Sequence, residues 1–451
     1  MTTVAIPVNR QIPRVPGVPV FGSLLDIRRD RIGWQHRVAR EQGDIARVRM
    51  GFFTALFLSS PDLVQELMVE HADAFTKSQG LTVYARPMLG NGLLTSHGEE
   101  HKKQRRMMAP AFAPKRIQAY ADVMAERAEI SAKRMIEKRD LDVAAETMRA
   151  TLEIVGKTLF DAELGEEASE IGAALTTAME HMIGTLTSLV PWPPAVPTPG
   201  NLRQKKAVAR LDETIYRMIR ERRASPSDRG DVLSMLLAAQ DEDDGSRMTD
   251  KQVRDEAMTL FLAGHETTAN GLAWSLYLLA KHPEIRDRAE KEIETALHGR
   301  TPSLADLKQM PFVLQIFKET MRMYPPAYIL GRRCYRDVEI GGYPIKKNQL
   351  VFVNIAGIHR RPDIFPNPDA FDPDRFTTEK EKLLPRHAYM PFGAGPRICI
   401  GNHFALMEGH ITLAALLQRV RLDMKTPEPV RTETLITLRP KGGLPMLATA
   451  R

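Results

Sequence analysis

Residues 391–410 read PFGAGPRICIGNHFALMEGH, and in this stretch a glycine-rich loop runs into a helical pattern. Cys399 lies at the junction, and the helix after it is predicted from about Ile400 to Val420. Amide groups and the dipole at the start of a helix favour a thiolate, so this position suits a cysteine that acts as a ligand. Gly401 leaves no side chain where a flat cofactor would press on the helix.

The residues around this cysteine form a more extended pattern than a buried thiol needs. Gly395 permits a tight bend, Phe392 can shield the sulfur, and Arg397 supplies a cation two residues before it. With Cys399 and Gly401 they spell F-x-x-G-x-R-x-C-x-G, which resembles the haem-binding signature of the cytochrome P-450 family. The resemblance implies that Cys399 ligates the iron of haem b.

A helix of about 32 residues is predicted between a capping box and a proline. Thr249 and Gln252 stand three residues apart at its start, and His282-Pro283 stops the pattern after Lys281. The helix is apolar on more than one side, so it should lie deep in the molecule. Its middle nevertheless reads AGHETT, residues 263–268. Because a glycine and buried polar groups are costly there, the segment predicts a functional site.

The AGHETT segment resembles the A-G-x-(D/E)-T oxygen-activation motif of the same family. The resemblance implies that Ala263 and Gly264 leave room for dioxygen, and that Glu266 and Thr267 relay protons to it. A threonine in a helix can instead donate to the carbonyl four residues earlier, which is the interpretation we prefer for Thr268. Glu266 and Thr267 also argue against the peroxide-using branch of the family, which has an Arg-Pro pair in their place.

Three charged residues match positions that have a structural role in the family. Glu319 and Arg322 form E-x-x-R in a helix predicted from about Phe312 to Met323, where they share one face. By resemblance they meet Arg375, in the segment Pro373–Phe376, and pin the meander that supports haem incorporation. Taken alone, a charge pair three residues apart is common on solvated helices.

The two haem propionates require cations or hydrogen-bond donors. By resemblance, His101 and Arg105 match the W/H-x-x-x-R pattern of the third helix of the family. Arg332 and Arg397 complete the expected set, with the adjacent Arg333 as a one-residue alternative to Arg332.

The resemblance also implies the positions that line a substrate pocket, and most of them are apolar. We expect a medium-sized lipophile such as a terpenoid, a fatty acid or a polyketide, bound largely by burial. Phe261 can equally be ordinary helix core. The candidate pocket residues are Leu81, Val83, Phe261, Ala263, Ala327, Ile329 and Ile436.

The implied activity is that of a monooxygenase, which inserts one atom of dioxygen into the substrate and releases the other as water. We expect electrons to come from NAD(P)H through a separate ferredoxin or flavodoxin, because the chain ends soon after Cys399. Such donors are typically acidic, so Lys102, Lys103 and Arg106 are candidate docking groups.

Two other classes of function stay open. One is an enzyme of the same fold that catalyses coupling, desaturation or isomerisation, which the motifs do not exclude. The other is a non-catalytic haem-thiolate sensor, which would not need Glu266 and Thr267.

The remaining sequence predicts a mainly helical single domain, residues 1–451, with a small β-rich portion. Two interruptions of the helical pattern stand out: the loop-like stretch 78–94, and PWPPAVPTPG at 191–200, whose prolines exclude helix. By resemblance this is the cytochrome P-450 fold, a triangular prism with a long central helix over the haem, a meander and a cysteine-ligand loop. We expect β-rich segments mainly at 20–60, 327–356 and 425–451, and helical segments mainly at 61–325 and 400–420.

Composition excludes several classes of protein. The 451 residues are 43% hydrophobic and 26% charged, which excludes disordered and collagen-like chains. A net charge of +7 with only 6% aromatic residues argues against a nucleic-acid interface. No apolar run approaches the ~18 residues of a spanning helix, so no integral membrane anchor is expected. Two cysteines favour a reducing, cytoplasmic location, with Cys334 as a small buried hydrophobe.

Overall fold

The computed structural model describes the chain as two compact units. The first unit combines Met1–Gln79 with Met321–Cys399, and the second combines Gly80–Thr320 with Ile400–Arg451. The expectation of a single domain stays a prediction. The described residues are 11–78, 80–165, 167–186, 192–193, 195–225, 229–241 and 245–451, without the side chains of Leu81 and Leu186.

Helices dominate the structure, as the 3.6-residue spacing predicts. Short 3-10 and π-helical turns lie between them, among them Glu66–Glu70, Gly80–Tyr84 and Gly395–Arg397. The α-helices are α1 (Leu24–Arg29), α2 (Arg31–Glu41), α3 (Pro61–Gln65), α4 (Arg86–Leu89), α5 (Gly98–Met108), α6 (Pro114–Gln118), α7 (Ala121–Lys138), α8 (Val143–Phe160), α9 (Glu167–Leu186), α10 (Pro199–Ala224), α11 (Val232–Ala238), α12 (Asp250–Lys281), α13 (Pro283–Leu297), α14 (Pro311–Met323), α15 (Ile355–Ile358), α16 (Thr378–Leu383) and α17 (Asn402–Arg419).

Strands form a minor part of both units, so the predicted fold class, mainly helical with a small β-rich portion, is confirmed. The strands are β1 (Ile45–Met50), β2 (Phe53–Leu58), β3 (Phe75–Lys77), β4 (Asp140–Asp142), β5 (Leu330–Cys334), β6 (Val338–Ile340), β7 (Tyr343–Ile345), β8 (Leu350–Val353), β9 (Val420–Met424), β10 (Thr432–Thr434), β11 (Leu438–Pro440) and β12 (Pro445–Ala450).

The first unit is built on a five-stranded sheet of order β1-β2-β8-β5-β3. Strand β2 pairs in parallel with β8, and the other neighbours are antiparallel. Because successive side chains of a strand face opposite sides, Arg332 and Cys334 of β5 are buried while Arg333 is half-buried. The register of β3 on β5 sets Lys77 directly opposite Arg332.

The second unit is centred on α12, whose predicted ends are confirmed. The side chain of Thr249 accepts from the amide of Gln252, and the Gln252 side chain accepts from the amide of Thr249. The helix ends at Lys281, before Pro283. It packs against α8, α10 and α17, and most of its residues are buried, as its apolar pattern predicts.

Two small β elements complete the second unit. Strands β4, β12 and β9 form a three-stranded antiparallel sheet, and β10 pairs with β11 as a hairpin. The hairpin is tied to α12 by the indole Nε1 of Trp274, which donates to the carbonyl oxygen of Leu438 at 3.1 Å. The C-terminal hairpin therefore lies against the helix that carries the AGHETT segment.

Three local expectations are corrected by the structure. The stretch 78–94, expected to be loop-like, contains the π-helical turn Gly80–Tyr84 and helix α4. The proline-rich segment ends inside α10, because Pro199 is its first residue, where a missing amide proton costs nothing. Helix α17 starts at Asn402 rather than Ile400. Among the described helices, none is both long enough and apolar enough to cross a membrane.

Candidate functional site

Residues 391–399 of the first unit, here called the cysteine loop, form a compact, hydrogen-bonded turn. The amide of Cys399 donates to the carbonyl of Phe392 at 2.9 Å, and the amide of Ile398 donates to the carbonyl of Gly395 at 3.0 Å. Gly393 and Gly395 both have positive φ, 73° and 67°, which favours glycine at these positions. Cys399 is exposed. The loop thus presents a thiol that is accessible to a ligand.

Cys399 lies farther from the start of α17 than we expect for a thiolate that is stabilised by the amides at the start of a helix. Gly401 is the residue at the N-cap, and Cys399 lies three residues before the first helical residue, Asn402. A β-carbon on Gly401 would meet only Phe112, at 3.8 Å, which is ordinary contact. The protein packing around Gly401 therefore leaves space beside this residue, in agreement with the expected cofactor face.

The residues behind the cysteine loop are buried and hold it in place. His359 is fully buried, and its Nε2 accepts from the amide of Met390 at 3.0 Å. Its ring stacks on that of Tyr389, with centroids 5.4 Å apart. Burial, with the charge of Arg322, lowers the pKa of His359 to about 3, so the ring is neutral at pH 7. A neutral ring can keep accepting that amide hydrogen.

Arg322, the arginine of E-x-x-R, is buried and holds the meander through carbonyl groups. Its guanidinium donates to the carbonyl oxygens of His359 at 2.8 Å, Pro368 at 2.9 Å and Ala370 at 3.2 Å. Arg375 donates to the carbonyl of Asn367 at 2.9 Å, in the same stretch. Glu319 is also fully buried. These positions fit the structural role that the resemblance implies, while the roles themselves stay predictions.

A cluster of three cations on the first unit fits a dianionic group. Lys77 lies opposite Arg332 in the β3–β5 ladder, and burial, then the charges of Arg397 and Arg332, lower its pKa well below the usual value. Burial and the charge of Arg397 likewise lower the pKa of Arg332 to about 10. Because like charges placed opposite each other destabilise a sheet, two carboxylates such as the haem propionates would offset the repulsion.

This cluster also favours one of the two arginines that the sequence left open. Arg332 is buried beside Arg397, whereas Arg333 donates to the side-chain oxygen of Asn348, at 2.9 Å, on the exposed side of the strand. Lys77 had no signal of its own in the sequence. Only the pairing of β3 with β5 brings it to this cluster.

On the second unit, His101 and Arg105 occupy one face of α5. They stand four residues apart, with His101 buried and Arg105 half-buried. The three expected docking cations on the same helix already have partners in the chain. Lys102 pairs with Glu99 at 2.8 Å, and Lys103 donates to Ser246 at 2.7 Å.

Arg106 is the least suitable of those docking cations. Its guanidinium lies 2.9 Å from the carboxylate of Asp241, which is buried. Because the two charges offset each other, Arg106 contributes little net positive charge to the surface. The expectation that Arg106 is a docking group stays a prediction.

The AGHETT segment keeps accessible groups in the middle of a buried helix. Ala263 is exposed, and Gly264 and Thr267 are half-buried, between buried residues on both sides. A β-carbon on Gly264 would stand 3.0 Å from Cγ2 of Val155, so this glycine allows α12 to approach α8 closely. The expectation that Gly264 leaves room for dioxygen stays a prediction beside this packing role.

Both threonines of the segment donate to the carbonyl four residues earlier, as expected for Thr268. Thr267 donates to the carbonyl of Ala263 at 2.7 Å, and Thr268 reaches the carbonyl of Gly264 only at 3.5 Å. The bond expected of Thr268 is thus made more closely by Thr267. Because that bond uses the only hydroxyl hydrogen of Thr267, its oxygen can still accept a hydrogen bond at the open face.

Glu266 is buried and accepts a hydrogen bond from the C-terminal hairpin. Only 1% of its surface is exposed, and burial raises its pKa to about 7. The hydroxyl of Thr437 donates to its Oε1 at 2.7 Å, and Asn270 donates to the same hydroxyl oxygen at 3.0 Å. Thr437 and Asn270 had no motif by which the sequence could single them out.

The candidate pocket residues are distributed over both units, and one of them is core. Phe261 is 3% exposed and stacks on Phe160 with ring centroids 4.3 Å apart, so it belongs to the helix core. Val83 is exposed, and Ile436 packs on the second unit's core while keeping part of its surface open. Ala327 and Ile329 are half-buried in the first unit. The side chain of Leu81 lies outside the described residues.

Comparison with known proteins shows which family this chain is similar to. The cytochrome P450 family model matches residues 13–446. The chain is 35% identical to cyclooctat-9-en-7-ol 5-monooxygenase of Streptomyces melanosporofaciens, over 84% of this chain and 83% of that protein. It is 31% identical to pentalenene oxygenase of Streptomyces avermitilis, over 97% of both chains.

The same similarity extends to solved structures. The crystal structure of the cytochrome P450DA heme domain superposes with a TM-score of 0.89 and 29% identity, over 98% of each chain. The family model thus matches nearly the whole chain, and two relatives are named as oxygenases. The chain therefore belongs to the cytochrome P450 family and is a haem-dependent monooxygenase.

Proposed function

We propose that this enzyme hydroxylates a cyclic terpenoid, with Cys399 as the iron ligand, Glu266 as the residue that holds a proton for the reaction and Thr267 as a hydrogen-bonding residue beside it. One observation supports the proposal most directly. A single turn of α12 has accessible residues, Ala263 and Thr267, next to the buried carboxyl of Glu266. An open face is suited to a reacting molecule, and a buried acid near neutral pKa is suited to storing a proton.

The bound haem supplies the activation of dioxygen, so the chain's own residues have simpler tasks. Cys399 would hold the iron through its thiolate, and Lys77, Arg332 and Arg397 would neutralise the propionates. Glu266 holds a proton at its carboxyl, where burial keeps the pKa at about 7. Thr267 accepts a hydrogen bond at the open face of α12. The overall reaction consumes two electrons and two protons, and one oxygen atom enters the substrate.

The substrate class is supported by chemistry and by the relatives. Two relatives are named for cyclooctat-9-en-7-ol and pentalenene, both cyclic alkene-derived lipophiles. The second unit also offers apolar side chains at α12: Leu260 is 6% exposed, and Ile436 is half-buried against the same core. Burial is the main source of affinity for such a molecule, at about 25 cal/mol for each Å² of apolar surface.

The proposal includes a separate electron donor, a ferredoxin or flavodoxin that is reduced at the expense of NAD(P)H. Lys102 and Lys103 stay candidate docking groups: Lys102 pairs with Glu99, whereas the partner of Lys103, Ser246, is neutral, so these three side chains of α5 together carry one net positive charge. Reversal of both lysines to glutamate should slow reduction without a change in substrate affinity. Unchanged reduction kinetics at low salt would remove them from the interface.

The test is a panel of lipophiles in two stages. A panel of cyclic terpene hydrocarbons and alcohols, linear fatty acids and macrolactones is titrated into the ferric enzyme, and the spin-state change in the haem spectrum measures binding. The best ligands are then turned over with a surrogate ferredoxin and reductase, and product mass is measured. Terpene binding with a product heavier by one oxygen is expected.

The other outcomes contradict separate parts of the proposal. Tight binding of fatty acids or macrolactones without terpenes overturns the substrate class. Products that have lost two hydrogens, joined two molecules or kept the substrate mass indicate desaturation, coupling or isomerisation. Absence of substrate-dependent oxygen consumption with every ligand supports the sensor alternative.

A further inference from the structure

Thr437 is the residue that connects the C-terminal hairpin to the buried carboxyl of Glu266. Its Oγ1 lies 2.7 Å from Oε1 of Glu266 and 3.0 Å from Nδ2 of Asn270. All three side chains are at most 4% exposed. The three groups therefore form a buried chain of hydrogen bonds, in which each group determines whether the next one donates or accepts.

The direction of the hydrogen bonds in this chain follows from the groups themselves. Nδ2 of Asn270 has only hydrogens to offer, so the oxygen of Thr437 must accept from it. Thr437 then has a single hydrogen left, which it donates to Glu266. Asn270 thus orients the hydroxyl toward the carboxyl, and the carboxyl oxygen receives a fixed donor.

The turn that carries Thr437 is itself fixed on α12. It joins β10 to β11, and the amide of Leu435 donates to the carbonyl of Thr437 at 3.1 Å. Below it, Nε1 of Trp274 donates to the carbonyl of Leu438. Glu266, Asn270 and Trp274 follow each other at intervals of four residues, so one face of α12 holds the turn at three successive points.

We propose that Thr437 is a positioning residue that sets how firmly Glu266 holds its proton and keeps the carboxyl at one place on α12. This inference rests on the proposed role of Glu266 as a proton-holding group. The hydroxyl stabilises the ionised carboxyl, so it makes the proton easier to release from a buried site. A hydroxyl on a rigid turn does this without admitting water.

The other groups near Glu266 do not substitute for this hydroxyl. Arg439 of β11 favours the ionised carboxyl at longer range, and it is shared between Glu433 and Glu180, each at 2.7 Å. His265, next along α12, is neutral at pH 7, because burial lowers its pKa to about 4.

Among the described residues, the charged groups on the elements packed against this part of α12 have other partners. On α17, the buried carboxyl of Glu408 has Thr268, not Glu266, as its hydrogen-bonding neighbour. On α8, Thr151 donates to the carbonyl of His265 at 3.0 Å, and the acids Glu146 and Glu153 pair with Arg134. After burial itself, the Thr437 hydroxyl is the largest influence on the pKa of Glu266.

The experiment is an infrared pH titration of the ferric holoenzyme and three variants. The carboxylic acid band of Glu266 is identified by its loss in E266Q, and its midpoint in the wild type is expected near pH 7. In T437V the midpoint should rise by one pH unit or more, because the donor is lost. T437S keeps the hydroxyl and should titrate like the wild type, which separates hydrogen bonding from packing.

Further variants keep the test decisive. If T437V does not fold, N270A replaces it: the hydroxyl loses the group that orients it, and a smaller upward shift is expected. A T437V or N270A midpoint equal to that of the wild type, with the band still absent in E266Q, overturns the role of Thr437 alone. Oxygen consumption with a surrogate ferredoxin that is the same in E266Q and the wild type instead overturns the proposed role of Glu266.

Discussion

The α-carbon of Gly395 faces the main-chain carbonyl oxygen of Met68 so closely that a β-carbon on residue 395 would stand 1.9 Å from that oxygen. Gly395 also has a φ of 67°, in the left-handed region. Two independent constraints therefore require glycine at this position, and both act within the first unit. The cysteine loop is therefore packed against the π-helical turn Glu66–Glu70.

Replacement of Gly395 by alanine should destabilise the protein and lower its haem content. The positive φ costs roughly 1–2 kcal/mol for a residue with a β-carbon. Forcing the Met68 carbonyl aside adds about 1–3 kcal/mol, typical of overpacking. Thermal unfolding and haem-to-protein ratio measure the effect.

The matched control for G395A is G442A. Gly442 has a φ of 77°, but a β-carbon there meets nothing within 4 Å, so only the conformational cost remains. G442A should therefore lose about 1–2 kcal/mol and keep its haem. Equal losses in the two variants would show that the contact with Met68 costs nothing.

How much the sequence could predict depends on the range of the interaction. The loop around Cys399 and the ends of α12 follow from neighbouring residues: a glycine pattern in one case, and a capping box with a following proline in the other. The carbonyl of Met68 lies more than 300 positions from Gly395, and no local pattern connects them. The sequence therefore predicts that residue 395 is glycine for a tight bend, but not what the bend packs against.

The same limit explains the residues that motif matching missed. Lys77 reaches Arg332 only because a three-residue strand, β3, pairs with β5. Thr437 reaches Glu266 only because a short hairpin lies on α12. Both residues are ordinary in their local sequence, and strand pairing over such separations depends on the whole fold. Charge and hydroxyl groups contributed in this way are visible only in three dimensions.

Replacement of Cys399 by serine should change the electronic character of the bound iron. A serine oxygen is a much weaker ligand than a thiolate, so the strong electron donation that characterises this site is lost. The carbonmonoxy adduct of C399S should absorb at a different wavelength from that of the wild type, and oxygenation should cease. The control is C334S, because Cys334 is buried and its Sγ donates to the carbonyl of Arg336. An unchanged carbonmonoxy spectrum in C399S would contradict the assignment of the ligand.

Replacement of Arg332 by glutamine should weaken haem retention. The side chain is buried in the cluster with Lys77 and Arg397, and a hydrogen bond to a charged partner contributes about 1.5–3 kcal/mol. Transfer of haem to apomyoglobin should therefore be roughly tenfold faster or more in R332Q. R333Q is the control, because Arg333 bonds Asn348 at the exposed side of the same strand. Equal transfer rates in R332Q and the wild type would remove Arg332 from the propionate site.

Glu256 lies on α12, two turns before Ala263, and holds the loop that precedes α5. Its Oε2 accepts from the amide of Leu93 at 2.8 Å, while the neighbouring Asp255 accepts from the amide of Asn91 at 2.9 Å. Glu256 is fully buried, and burial raises its pKa to about 8, with smaller contributions from the charges of Asp255 and Glu100. This carboxyl is therefore protonated in the folded protein at pH 7.

The stability of the protein should consequently fall as pH rises, and E256Q should remove that dependence. A glutamate in the unfolded chain titrates near pH 4.5, so between pH 4.5 and 8 the folded state keeps a proton that the unfolded state has lost. Stability relative to E256Q should then decrease by about 1.4 kcal/mol per pH unit across this window. Chemical unfolding at several pH values measures the difference, with E99Q on the exposed face of α5 as a control. A difference between E256Q and the wild type that is constant from pH 4.5 to 8 would show that Glu256 is ionised in the folded protein, and that the Leu93 amide outweighs the cost of burial.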